Sequence, residues 1–135
     1  MSCTVQAKQL ALIVDKANAT SNLNAGDLIK IFNAHNRTWP DGRPITIVIK
    51  DPSSVDMQLV LHKIFNMSAD QARAFVQAHR EAIMVTDSDD AVVRFVSSSR
   101  GALGVIDLFS LTKDVTVIKI DGKLPVEPGY FLRGN

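Results

Sequence analysis

With a single cysteine, Cys3, this chain of 135 residues cannot form an internal disulfide, so its thiol content says nothing about redox compartment. Cys3 is expected to be a surface thiol in a loose N-terminal segment, residues 1–8. An excess of one charge is also absent: 15 Lys and Arg stand against 14 Asp and Glu, a formal net charge of +1. No global field therefore draws the chain to nucleic acid or to anionic lipid, and any anion site has to be local. Long apolar runs are missing too, since nothing approaches the ~20 residues of a membrane span, and no direct membrane insertion is expected. The opening MSCTVQAKQLALIV lacks the basic start, long apolar centre and small-residue cleavage site of a signal peptide. As written, the chain reads as soluble and unexported, although a leader replaced by Met1 would leave the same start. There is no internal repeat, linker or low-complexity tract.

What is present is an ordinary globular composition: 46% apolar and 21% charged residues, with a mean hydropathy of +0.08. A chain of 14.8 kDa buries roughly two-thirds of its unfolded surface, enough for one cored domain over residues 1–135.

Period and punctuation alternate between strand and helix. Leu10 to Val14 is a continuous apolar run, as expected of a strand covered on both faces. Asn22 or Asn24 caps a helix over Ala25 to Phe32, where Leu28, Ile31 and Phe32 share one side. Trp39, Pro40, Asp41 and Gly42 form a turn, and Pro44 leads into a central strand, Ile45 to Ile49. Trp39 is expected to pin the helix end and turn onto the sheet, packed near Phe32 and Pro44. Pro52, Ser53 and Ser54 introduce a helix from Val55 to Phe65, with Leu59, Val60, Ile64 and Met67 turned inward. Ser68 and Gln71 form a capping box for a helix running to about His79. Thr86 or Ser88 caps another, with Asp87, Asp89 and Asp90 in or near its first turn, where the helix dipole favours negative charge. That acidic run lacks the spaced ligands, Gly and Glu of a calcium loop. Gly101 closes the helix, Ala102 to Ile106 and Val115 to Ile120 are strands, and Asp121-Gly122 is a turn. The sum is α/β: one three-layer domain with a mixed, mostly parallel sheet flanked by helices.

Catalytic chemistry finds few candidates, and none is assigned. His35, His62 and His79 show neither an i, i+4 ligand partner nor a cysteine partner, so no metal site is expected and they are read as solvent-facing or helix-end residues. Ser97, Ser98 and Ser99 lack a Gly-x-Ser-x-Gly elbow. Gly101-Ala102-Leu103-Gly104 lacks the dinucleotide fingerprint, and no phosphate loop with Gly-Lys-Ser or Gly-Lys-Thr occurs. No enzyme activity and no cofactor are expected.

The segments LALIVDKANATSNL, DLIKIFNAHNRTW, RPITIVIKDPSS, FVSSSRGALGVI and IKIDGKLPVEPGYFL carry a resemblance. Together they follow, from about Leu10 to Leu132, the order of the phosphate ABC-transporter substrate-binding proteins, which are type II periplasmic binding proteins. In that family an Asn-rich turn follows a strand, and a helix then ends roughly Ile-Phe-x-Gly-x-x-x-x-Trp. A Pro-led strand leads next to an Arg and a Ser-Gly-Thr that opens a helix. Later come Val-Ala-x-x-x-Gly-Ala-Ile-Gly-Tyr, an Asp-Gly turn and a Pro-Gly-Tyr segment. The chain resembles one lobe of such a protein, a short single-lobe member.

The resemblance implies a periplasmic or extracytoplasmic, non-enzymatic lobe that binds phosphate or a related oxyanion for transport or sensing. Its ligand-binding residues would be Lys50, Ser53, Ser54, Val55 and Asp56. Lys50 falls where the family has Arg, Ser54 matches the Ser, Val55 replaces the Gly and Asp56 replaces the Thr. Lys50 supplies charge without the bidentate fork of a guanidinium, and Asp56 puts a carboxylate where an anion would sit. Ser54 and Asp56 are equally explained as helix-start residues. Family members close two lobes over a cleft, so a homodimer, a second lobe or a transporter protein is the implied partner. Asn-x-Ser/Thr sequences at Asn18, Asn36 and Asn66 are discounted as glycan acceptors because the resemblance is to bacterial proteins. The alternative is a protein-interaction or dimerisation module that keeps the lobe's fold without a working anion site.

Overall fold

Alternating apolar side chains build a sheet with two buried faces. In the computed structural model, which describes residues 8–134, strand β1 (Lys8–Asp15) turns Leu10, Leu12 and Val14 to one face and Ala11 and Ile13 to the other. Strands β3 (Thr46–Lys50) and β5 (Ala102–Asp107) repeat the division, with Ile47, Ile49, Leu103 and Val105 on the first face and Val48 and Ile106 on the second. Cys3 lies outside the described residues. The loose segment expected over residues 1–8 is corrected at its end, because Lys8 already pairs with Gly134 in β1.

The sheet order is β2-β6-β1-β5-β3-β4, with β2 (Asn22–Leu23), β4 (Ile83–Thr86) and β6 (Val115–Ile120), while β7 (Arg133–Gly134) pairs with the start of β1. Strand β1 is antiparallel to β5, β6 and β7. The β2–β6, β3–β5 and β3–β4 pairs are parallel, so every strand but β1 runs in one direction. The sheet is therefore mixed and mostly parallel. Strand β1 is covered on both faces as expected, yet it is the one strand that opposes the rest.

Helices complete three layers. Helix α1 (Ala25–Phe32) is capped by Asn24, whose side chain accepts from the Asp27 N–H at 2.7 Å, and it buries Leu28, Ile31 and Phe32. Helix α3 (Ala69–Ala78) has the Ser68–Gln71 capping box, and helix α4 (Asp89–Ser98) is capped by Ser88. Helices α1 and α3 lie on the first face, and α4 covers the second with Val92, Val93 and Val96. Trp39 is buried, and its indole N–H donates to the Gly101 carbonyl at 2.9 Å, pinning the turn to the start of β5. Asp121 and Gly122 both have positive φ, the geometry of a tight hairpin turn.

Two expectations need correction. The helix placed over Val55 to Phe65 begins only with α2 (Met57–Val60) and continues as a π-helical turn, Leu61–Phe65, which ends at Asn66 with φ 52°. The π turn is closed by the Asn66 N–H donating to the Leu61 carbonyl five residues back, and the Asn33 side-chain amide takes up the Ile64 carbonyl at 3.2 Å. Val60 and Ile64 are buried as expected, whereas Leu59 and Met67 are only partly so. Strand β4 was not anticipated, because its four residues show no alternation: Ile83 is buried while Met84 and Val85 are exposed at the sheet's edge. The 3₁₀ turn Leu108–Ser110 was likewise unexpected.

Candidate functional site

Topology selects one end of the sheet. Strand β3 leads to β4 on one flank, whereas β5 leads across β1 to β6 on the other. Connections that diverge in this way open a crevice at the carboxyl ends of the two strands, the usual position for a ligand in an open α/β sheet. Lys50 is the last residue of β3, Asp107 the last of β5, and Asp89 opens α4 just after β4. These three residues, distant in sequence, meet at that end.

The Lys50 ammonium is held between two carboxylates. It bonds to Asp56 Oδ2 and lies 2.8 Å from Asp89 Oδ1, with only 12% of the Lys50 side chain exposed and 17% and 14% of its two partners. Burial pulls the Lys50 pKa down, but hydrogen bonds and charge from Asp56 and Asp89 outweigh it. The group stands above the ordinary lysine value and is charged across the physiological range. The two partners are anchored differently. Asp89 Oδ2 also accepts from Ser110 Oγ at 2.6 Å and from the Asp107 N–H at 3.2 Å, which ties it to the end of β5. Asp56 belongs to the turn of residues 51–56 and immediately precedes α2, next to Val55, whose side chain is 83% exposed.

Backbone donors in this turn are also engaged. Asp51 accepts from the Ser53 N–H at 2.8 Å and from Ser53 Oγ at 2.6 Å, and the Ser54 N–H donates to the Asp51 carbonyl at 2.9 Å. The Ser53 hydroxyl and N–H, with Arg73 alongside, hold the Asp51 carboxyl below its usual range. Ser54 Oγ is the exception: it is buried and has no hydrogen-bond partner among the described residues. An unsatisfied buried hydroxyl costs about 1–3 kcal/mol, so it marks a point where a further acceptor or donor would be welcome.

Of the five residues expected to face a ligand, Lys50 and Asp56 are brought into direct contact. Ser53 closes the turn on Asp51, Ser54 supplies the orphan hydroxyl, and Val55 projects outward. The residue that sequence reasoning missed is Asp89, which was read only as a helix-start carboxylate. Recognising β4 would have found it, because residues that follow parallel neighbours β3 and β4 emerge side by side. Among the described residues, no group of three or more His, Cys, Asp or Glu could hold a metal, and no helix is long and apolar enough to cross a membrane.

No protein-family model matches the chain, and no curated protein sequence matches it. Solved structures do. An ABC-type phosphate transport receptor from Vibrio cholerae superposes with a TM-score of 0.79 at 19% identity, over 95% of this chain and 54% of the receptor. PstS from Borrelia burgdorferi gives 0.76 at 19% identity, over 96% and 55%. A putative phosphate ABC transporter substrate-binding protein with bound phosphate from Clostridium perfringens gives 0.74 at 19% identity, over 88% and 47%. The chain thus spans about half the length of these structures and shares the fold of that half, the level at which the sequence resemblance and the structure agree.

Proposed function

We propose that this chain is a non-enzymatic binding lobe for phosphate or a related oxyanion, acting outside the cytoplasm and completed by a second lobe, a second copy or a transporter protein. The observation that carries the reading is the position of Lys50. It ends β3 at the divergence of the sheet connections, in a fold shared with three phosphate-transport proteins. A lysine there offers a localised positive charge, and the orphan Ser54 hydroxyl lies four residues on in the adjoining turn. Ligand contacts would come from Lys50, Ser53, Ser54, Val55 and Asp56. Half of a cleft leaves one side of a ligand in water, so affinity in the isolated chain should be weak.

A second reading, an interaction module that has kept the lobe's fold without a working anion site, is favoured by a specific observation. Asp56 and Asp89 already satisfy Lys50, and Asp51 already takes the Ser53 N–H. Isothermal titration with phosphate, sulfate and a neutral sugar, beside light scattering for mass, separates the two. Phosphate-selective heat that disappears in Lys50→Met, with circular dichroism showing a folded variant, supports the oxyanion lobe. No heat at millimolar phosphate supports the interaction module.

A further inference from the structure

Strand β4 ends the sheet, and among the described residues no strand pairs with its outer side. Its bonding to β3 fixes which backbone groups point there. The Ile47 N–H donates to the Ala82 carbonyl at 2.8 Å, so Met84 and Thr86 turn their N–H and C=O toward β3, while Ile83 and Val85 turn theirs outward. The Ile83 N–H folds back onto the His79 carbonyl at 2.9 Å, which leaves the Ile83 carbonyl and both Val85 groups on the open edge. Natural edge strands are guarded by lysine, proline, a bulge or an inward charge. Ile83-Met84-Val85-Thr86 has none of these and keeps an unbroken register with β3. Met84 and Val85 are 37% and 41% exposed. A groove of about 400 Å³ lies beside them, lined by Val76, Gln77, Arg80, Ile83, Met84 and Val85.

We infer that this edge pairs with the β4 edge of a second copy of the chain, antiparallel about a two-fold axis normal to the sheet, so that the two sheets run on as one. A two-fold axis requires a self-complementary edge, and β4 is self-complementary in backbone, side chains and charge. With Ile83 opposite Val85 of the second copy, each Val85 N–H donates to an Ile83 carbonyl across the axis. The same register sets Ile83 against Val85 on one face and Met84 against its counterpart on the other, so every cross-strand pair at the centre is apolar. Arg80 precedes the strand and Asp87 follows it; both are exposed, and neither has an ion-pair partner among the described residues. Antiparallel pairing brings Arg80 of each copy toward Asp87 of the other, whereas parallel pairing would set like charges together. Glu81, which lies between Arg80 and the strand, is already held by Arg37 at 2.6 Å. Because the paired strands oppose, the carboxyl ends of the two sheets point opposite ways. The copy taken up at β4 therefore leaves each Lys50 crevice uncovered, and a partner that completes a crevice is a separate association.

Light scattering after size exclusion, at concentrations from about 1 to about 100 μM, tests this on four proteins: wild type, Val85→Lys, Arg80→Glu, and Arg80→Glu with Asp87→Arg. Wild type should move from 14.8 kDa toward twice that mass as concentration rises. Val85→Lys should stay a monomer throughout, because it sets a charge against the apolar pairs at the axis. At 41% exposure the lysine can reach water in the single copy, so the fold should survive, which circular dichroism checks. Arg80→Glu alters only an exposed side chain and should weaken the dimer at least about tenfold, because both attractions become repulsions. Adding Asp87→Arg reverses both ends and should restore the wild-type midpoint to within about threefold. A wild-type mass of 14.8 kDa at about 100 μM would overturn the proposal. A dimer that survives Val85→Lys would overturn it as well, since the copies would then meet elsewhere, and so would a double variant as weak as Arg80→Glu alone.

Discussion

Replacing Lys50 with Met keeps most of the apolar stem and deletes the charge that Asp56 and Asp89 share. Across the 2.8 Å contact to Asp89, the gross attraction is about 6 kcal/mol at an effective dielectric constant near 20, before desolvation is subtracted. Removing one member of a fully buried ion pair costs about 3–5 kcal/mol, because the partner is left charged and unpaired. Here all three side chains keep some solvent contact, which lowers that cost. A destabilisation of about 2–3 kcal/mol at neutral pH is therefore expected. Urea denaturation followed by circular dichroism measures it, with an unchanged slope showing that the mutation acts on stability and leaves the surface exposed on unfolding the same. Adding Asp56→Asn should recover about half of the loss by relieving the repulsion between two carboxylates with no cation between them. A loss below about 0.5 kcal/mol would refute the reasoning, because that is the worth of a solvated surface pair, and Lys50 would then be weakly held.

Gly104 of β5 faces α4, and a Cβ there would meet Val92 Cγ1 at 2.7 Å, Val96 Cγ2 at 2.9 Å and Ile13 Cγ1 at 3.1 Å. Gly104→Ala should cost about 2 kcal/mol by overpacking and lower Tm by roughly 8 °C; an unchanged Tm would mean that α4 is not seated tightly on the sheet. Alkaline stability supplies a prediction with a definite sign. Burial pushes the Tyr130 hydroxyl, which donates to the Leu10 carbonyl at 2.8 Å, well above its usual value, and the Lys50 pKa is raised as well. A group whose pKa is higher folded than unfolded stabilises fully below its unfolded pKa and loses that contribution as pH rises toward its folded pKa. Stability should therefore fall above about pH 10, by up to 1.4 kcal/mol per pH unit for Tyr130 alone, and Tyr130→Phe should flatten the decline. A Tyr130→Phe protein with the wild-type pH slope would contradict the assignment.

Much of the fold was legible in the sequence because its signals are local. The Asn24 cap, the Ser68–Gln71 box and the Ser88 cap each depend on a side chain and a backbone N–H within a few residues; the box appears as expected, and at the other two helices the structure chooses Asn24 over Asn22 and Ser88 over Thr86. The apolar runs Leu10 to Val14 and Ile45 to Ile49 identify buried strands because sheets covered on both faces need no polar alternation. Direction within the sheet is not local. A strand has the same residues whether its neighbour runs parallel or antiparallel, so only assembly made β1 the strand that opposes the rest. Edge strand β4 escaped for the same reason, since its four residues are held by pairing with β3 and their own pattern is silent.

The site divides along the same line. That Lys50, Ser53, Ser54, Val55 and Asp56 form one short segment after a buried strand follows from the order of residues alone, because seven residues cannot travel far from the strand end they leave. The same order combines one cation with carboxylates and hydroxyls in that segment. How those charges pair depends on the packing of distant elements. Asp89 reaches Lys50 from a helix 39 positions away because β3 and β4 lie parallel and adjacent, and Ser110 then fixes Asp89 from beyond the end of β5. Charge pairing depends on distance in space, and in an α/β sheet the order of the strands sets that distance.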